Sequence, residues 1–344
     1  MKIKNKIDSQ LAGYILDIDK LYSLSKISPL LFKNIRNFIR RDGKRIRPIL
    51  FVIGYLGFAK KAAYGLYRSA VALEIFHDFM LVHDDIIDKS DTRRGKPSMH
   101  AALNRYLKDY KNIKFDGQDL SIVAGDVMYA MAIHAFLSVK EDMRRKEAAL
   151  KKLIEAAIYT GSGEFIELLY GAKNIEEIKK SDIYKIYDLK TANYTFASPL
   201  SIGAILAGAR KNQVEKLFKY GIYLGRAFQI KDDILGMFGV KAKIGKSNLT
   251  DLQEAKKTIL IWYAYRNSKR KHKLAIKRIL AKRNIYKKDL LRIRKIVLAA
   301  GALDYAKKEV HALIRKALAI NKGSQMHLKY RQSLDSYAGK LLSL

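Results

Sequence analysis

The chain has 344 residues, with 67 Lys and Arg against 33 Asp and Glu, a formal charge of +34. It is also 49% hydrophobic, so the charge does not imply disorder, and one large domain or two modest ones can still bury a core. With no cysteine, disulfides, thiolate metal sites and cysteine nucleophiles are excluded.

In chain order, the basic start MKIKNKIDSQ is followed by no apolar run, so no signal peptide is expected and a cytoplasmic location is. Residues 40–44 precede Pro48 and read as a loop. Residues 67–88 lack Gly and Pro and carry a helical pattern. Residues 89–99 hold Gly95 and Pro97 and read as a loop. The longest uncharged run, 191–209, contains Asn193, Ser198, Pro199 and Ser201, which favours a buried helix over a membrane span. Residues 240–250 hold Gly245, Ser247 and Asn248 and read as a loop.

No proline follows Pro199, so the C-terminal part can form long helices. Apolar spacing at three and four continues there: Leu274, Ile276, Ile279, Leu280, then Leu290, Leu291, Ile293, Ile296, Val297. Sustained strand alternation is absent. The expected fold class is all-α, with residues 1–344 forming a single domain. The excess charge gathers in the same region: residues 266–295 hold 14 basic residues and one acid, Asp289. Nucleic acid, an anionic membrane and a polyanionic substrate are the candidate partners.

The scarce acids carry more information. On a helix, Asp84 and Asp88 stack one turn apart, with Asp85 beside them. Such carboxylates repel one another unless a cation sits between them. Hard oxygen ligands suit Mg²⁺, which usually binds one or two carboxylates plus substrate phosphates. A second pair, Asp232 and Asp233, follows Gln229 by three and four residues. Two clusters on apolar helices could clamp a diphosphate through metal ions. His77 lies two turns before Asp84 and reads either as a core histidine or as a donor to an oxyanion.

Two basic loops accompany these clusters. Gly43-Lys44-Arg45-Ile46-Arg47-Pro48 places three cations at a helix start. Arg93-Arg94 follows the first acidic cluster directly, and the planar guanidinium fork suits phosphate oxygens. Lys190-Thr191, and Lys246 and Lys256 around Asp251, are further candidates.

Together, in this order, the motifs resemble those of the trans-isoprenyl diphosphate synthases, the polyprenyl synthetase family, over about residues 40–262. The matching segments are Gly43 to Pro48, His83 to Pro97, Lys190-Thr191, Phe228 to Leu235, and Gly245-Lys246 with Asp251 and Lys256-Lys257-Thr258. The resemblance implies a helical bundle with a central prenyl-substrate cavity. It implies isopentenyl diphosphate held without metal by Lys44, Arg47, His77 and Arg94. It implies an allylic diphosphate held by two or three Mg²⁺ ions on Asp84, Asp88 and Asp232, with Arg93, Lys190, Lys246 and Lys256. Asp85 and Asp233 would support the metal shell, and Thr191 and Gln229 would face the developing carbocation. The family is usually dimeric. One departure stands out: the third aspartate common in the second motif is Gly236 here.

Product length should depend on what lies beneath Asp84. Met80 and Phe76 fall one and two turns below it, roughly 6 and 12 Å away, and Phe79 precedes it by five residues. The pair Phe79-Met80, with two residues between the first-motif aspartates, resembles the archaeal type of geranylgeranyl synthase. A farnesyl or longer product is the alternative within the family. From another class, the alternative is a basic helical protein that binds nucleic acid or membrane through residues 266–295. That stretch offers only Tyr286 for stacking, so no nucleic acid is expected and peripheral contact with an anionic membrane is the weaker option.

Overall fold

The computed structural model describes residues 2–239 and 250–342. The N-terminal helices are α1 (Lys2–Tyr22), α2 (Leu24–Ile27), α3 (Pro29–Ile39), α4 (Ile46–Leu56), α5 (Leu66–Ile87), α6 (Met99–Leu107), α7 (Gly117–Phe136) and α8 (Met143–Ala172). α9 (Lys180–Ile186) runs into a π-helical segment, Tyr187–Ala197, then into α10 (Ser198–Leu206) and α11 (Lys211–Phe238). α12 (Thr250–Gln253), α13 (Ile259–Asn267), α14 (Arg270–Leu280), α15 (Lys287–Ala299), α16 (Ala302–Lys322) and α17 (Leu328–Leu342) follow. The fold is all-α.

Local chemistry sets the helix boundaries. Pro48 sits in the first turn of α4, where its missing N–H costs nothing. Asp116 caps α7, accepting from the amides of Gln118 and Asp119. The last turn of the π-helix suits Pro199, which has no N–H and would clash with the carbonyl four residues back. The ladder widens ahead of it, and the Ser198 amide reaches Asn193 O, five residues back. Residues 191–209 are thus mostly buried, as their composition suggests, but their first turns are π rather than α.

Two apolar clusters form the core. One gathers residues of α1, α3, α5 and α7, including Ile15, Phe38, Phe76 and Phe136. The other gathers residues of α11 and α13 to α16, including Leu224, Ile230, Ile261, Ile293 and Ile314. α4 packs on α10 between them at a backbone-to-backbone crossing. A Cβ on Gly203 would fall 2.1 Å from Phe51 O, and one on Gly54 would fall 2.3 Å from Leu200 O.

Some expectations need correction. Residues 89–99 are not loop throughout: Thr92–Arg93 pairs antiparallel with Lys96–Pro97. The tight turn between them needs positive φ at both central residues, supplied by Arg94 (54°) and Gly95 (72°). Leu274 and Leu291 are exposed, although the spacing groups them with the buried stripes of α14 and α15. One described helix, Gly117–Phe136, is long and apolar enough to cross a membrane. It packs along α5 and α6. The loop read at 240–250 lies almost wholly outside the described residues.

Candidate active site

A cavity of about 590 Å³ opens between α5, α8, the π-helix, α11 and the 256–258 segment. α5 brings Asp84 and Asp88, α11 brings Gln229, Asp232 and Asp233, and the π-helix brings Lys190 and Thr191. Lys44, Arg47, Arg93 and Lys256 complete the predicted residues on its wall. Most of the candidates picked from the sequence therefore meet in one place. Lys246 lies outside the described residues.

The first acidic cluster is built in two tiers. Asp85 is buried and accepts from Arg93 Nε at 2.7 Å. Asp84 is more exposed and accepts from Arg93 Nη2 at 3.1 Å. Burial disfavours the charge on Arg93, but the carboxylates around it more than compensate and hold its pKa up. Carboxylate oxygens of Asp84, Asp88 and Glu164 come within 4.8 Å of one another. Three hard oxygen donors at that spacing fit a divalent cation.

Glu164 and Glu167 are absent from the sequence reading. Both lie on α8 and bind the Lys190 ammonium, Glu167 at 2.6 Å, while Asp84 lies 3.8 Å from the same nitrogen. Burial works against the charge on Lys190, and these carboxylates override it and raise its pKa. The sequence did hold a signal: two of the few acids, three residues apart on one helix.

The second cluster divides by face. Both line the cavity, Asp232 exposed and Asp233 buried. Thr191 Oγ1 donates to Gln229 Oε1 at 2.6 Å, and Gln229 Nε2 donates to Asp233 Oδ1 at 2.9 Å. Tyr187, also missed by the sequence reading, donates its hydroxyl to Asp233 Oδ2.

The basic loop at 43–48 splits as well. Lys44 is exposed, and Arg47 donates to Thr195 Oγ1 at 2.7 Å while stacking over Tyr194, 4.4 Å from the ring centre. Arg45 instead turns into the protein. It pairs with Glu74 at 2.6 Å and Asp8 at 2.9 Å and donates to Arg41 O. Arg41 donates to the carbonyls of Arg93 (3.2 Å) and Pro97 (2.7 Å), which pins the short hairpin.

Arg94 and His77 lie behind the cavity wall among the described residues. Arg94 sits 3.5 Å from both Glu74 and Asp78. Asp78 is fully buried, and burial and the Glu74 charge push its pKa up. The His77 ring lies 6.2 Å from Tyr194, and burial together with Arg47 and neighbouring arginines holds its pKa well below the usual value. His77 is therefore neutral at pH 7.

Phe76, Phe79 and Met80 are not on the wall of this cavity. Phe76 is fully buried and touches Phe79, Tyr129 and Tyr194, with ring centres 5.6–5.8 Å apart. Phe79 packs against Tyr129 at 5.4 Å, and Met80 is partly buried in the same cluster. Below Asp84 there is thus an aromatic layer drawn from three elements.

Comparison with known proteins accounts for this arrangement. The sequence pattern of the family described as polyprenyl synthetase matches residues 28–297. A short chain isoprenyl diphosphate synthase of Methanocaldococcus jannaschii is 31% identical over 305 residues, covering 89% of this chain and 84% of that one. A geranylfarnesyl diphosphate synthase of Aeropyrum pernix is 32% identical over 314 residues, covering 90% of each. The crystal structure of a geranylgeranyl pyrophosphate synthase from Corynebacterium glutamicum, complexed with isoprenyl diphosphate and magnesium, superposes with a TM-score of 0.87 at 27% identity. It covers 99% of this chain and 98% of that one. The chain belongs to the polyprenyl synthetase family and is a prenyltransferase of the trans-isoprenyl diphosphate synthase type.

Proposed function

We propose that the protein condenses isopentenyl diphosphate with an allylic diphosphate, head to tail, and that its main product has twenty carbons. The observation that carries this reading is the cavity itself. Aspartates from two helices, Asp84 and Asp88 of α5 and Asp232 and Asp233 of α11, line it together with Lys44 and Arg47.

The diphosphate that leaves belongs between the clusters. Mg²⁺ held by Asp84, Asp88 and Asp232 would neutralise the charge that builds on it as its bond to the allylic carbon breaks. Lys190, Lys256 and Arg93 add donors around the same group. The diphosphate that stays needs only cations, and Lys44 and Arg47 supply them on the cavity wall, while Arg94 and His77, assigned to it by the motif, stand behind that wall. Thr191 and Gln229 line the same cavity, where their oxygens would face the positive carbon. The double bond of isopentenyl diphosphate then attacks that carbon, and a proton is lost. The apolar wall from Leu81, Ile186 and Phe228 excludes water that would quench the cation.

Lys246 is assigned to the same diphosphate on the motif alone. The tail is proposed to run toward Phe76, Phe79 and Met80, whose packing with Tyr129 and Tyr194 supports a short product. The whole chain acts as one synthase domain in the cytoplasm. A homodimer is supported by Ile154, Ile158, Phe165 and Leu169, an exposed apolar stripe on α8 that a second copy would cover. The test is direct: supply Mg²⁺, isopentenyl diphosphate and dimethylallyl diphosphate, and identify the prenyl product. A geranylgeranyl chain is expected, and no product from any allylic starter refutes the reading.

A further inference from the structure

Tyr187 opens the π-helix three residues before Lys190, and its ring is buried on the cavity wall. Its hydroxyl lies at a junction of three chain segments, the π-helix, α11 and the start of α13. The hydroxyl donates to Asp233 Oδ2 and accepts from the Ile259 amide at 3.0 Å. The other oxygen of Asp233 accepts from Gln229, which is held in turn by Thr191. The direction of every bond follows from the groups. The Ile259 N–H can only donate, so the phenol oxygen accepts there and spends its proton on Asp233. Thr191 spends its proton on the Gln229 carbonyl, which leaves the Gln229 amide for Asp233.

The consequence falls on Asp232. Neighbouring residues on a helix point about 100° apart, so anchoring Asp233 fixes the rotation of α11 at which exposed Asp232 stands beside it on the cavity wall. Gly236 offers no further carboxylate on that turn. Ile259 also directly follows Lys256-Lys257-Thr258, so the same phenol ties α11 to the segment that carries Lys256.

We propose that Tyr187 is a positioning residue of the leaving-diphosphate pocket, setting Asp232 and Lys256 against each other through Asp233 and Ile259. This rests on the function proposed above. Burial and the Asp233 charge push the phenol pKa well up, so it remains a donor throughout the working range.

The test is the full-length Y187F variant, which keeps the ring and removes the hydroxyl. One readout needs no turnover: the rise in Tm on adding Mg²⁺ with inorganic diphosphate. Y187F is expected to show a smaller rise than the unaltered chain. In turnover, KM for the allylic substrate should rise and kcat should fall, together roughly tenfold, while KM for isopentenyl diphosphate stays put. D233N should reproduce that split, and adding it to Y187F should cost little more. If Y187F does not fold, D233N carries the test by the same split. An unchanged Tm rise with unchanged allylic KM overturns the proposal, as does an equal rise in both KM values. Absence of any prenyl product from the unaltered chain would instead sink the function, and the Tm readout would still report on Tyr187.

Discussion

Gly203→Ala probes how the fold holds the site. The methyl group would meet Phe51 O at 2.1 Å and Tyr55 N at 2.6 Å, both backbone atoms that cannot rotate away. Reaching even a 3.0 Å contact requires α4 and α10 to part by about 0.9 Å. Arg47 stands in the first turn of α4, and Thr195 stands in the π-helix that continues into α10. Their 2.7 Å hydrogen bond spans this same crossing, and a shift of that size opens it to about 3.6 Å, past hydrogen-bond range. Overpacking of this kind costs about 1–3 kcal/mol, which for a chain of 344 residues lowers Tm by roughly 1.5–4 °C. A 1 Å displacement at a binding group can cost up to about a hundredfold, so KM for isopentenyl diphosphate should rise more than the stability loss suggests. Differential scanning fluorimetry and initial rates at varied isopentenyl diphosphate measure both. Gly161→Ala is the control, because it lies within α8 with no atom within 4 Å of the added methyl. It should stabilise by about 0.5–1 kcal/mol. If Gly203→Ala moves Tm by less than about 1 °C and leaves KM unchanged, the crossing does not set the site's geometry.

Four further outcomes are expected. Asp84→Ala should lower kcat by roughly 10²–10³-fold while its far-UV circular dichroism stays helical, and retained turnover would remove Asp84 from the site. Phe79→Ala should lengthen the product in radiolabelled chain-length analysis, and an unchanged product shows that Phe79 is not the floor. Burial lowers the Lys257 amine from 10.5 to about 8. Between those values the unfolded chain binds the extra proton, so Tm should gain as pH rises through this window, and Lys257→Met should abolish that gain. Phe165→Glu places a charge on the exposed α8 stripe, and sedimentation should show its mass fall from dimer to monomer, an outcome that a fully dimeric variant contradicts.

How much of this was legible in the sequence depended on how local each determinant was. Asp84, Asp88 and Asp232 sit in short motifs whose helical spacing fixes a shared face, and the all-α class followed from sparse proline and apolar periodicity. Arg45 was not legible. Its motif neighbours Lys44 and Arg47 reach the cavity, but Arg45 adopts φ 51° and turns toward Glu74 and Asp8, partners 29 and 37 residues away. Glu164, Glu167 and Tyr187 escaped for the same reason: each acts on a residue of another helix, and only packing reveals the pairing. The hairpin at 92–97 is too short to leave a period. The π-helix ends just before Pro199, but proline in a helix predicts disruption without stating which form it takes.

The +34 charge is not what recognises the substrate. Two of the cations at the cavity are held by carboxylates: Arg93 by Asp84 and Asp85, and Lys190 by Glu164 and Glu167. An ammonium or guanidinium held between carboxylates is oriented without rotamer freedom left to lose, so it can meet a diphosphate at little entropic cost. Unpaired, the same groups would attract any phosphate that arrived. Part of the excess lies on α14 and α15, where Ala275, Ile276, Ile293 and Val297 are buried and Arg270, Lys271, Arg278, Lys287, Lys288, Arg292 and Lys295 are exposed. Those charges act at a distance that salt screens within about 8–10 Å, so they influence how fast an anion arrives rather than which one is held. Selectivity therefore rests with the few acids, because they decide which cations are fixed and where metal can sit.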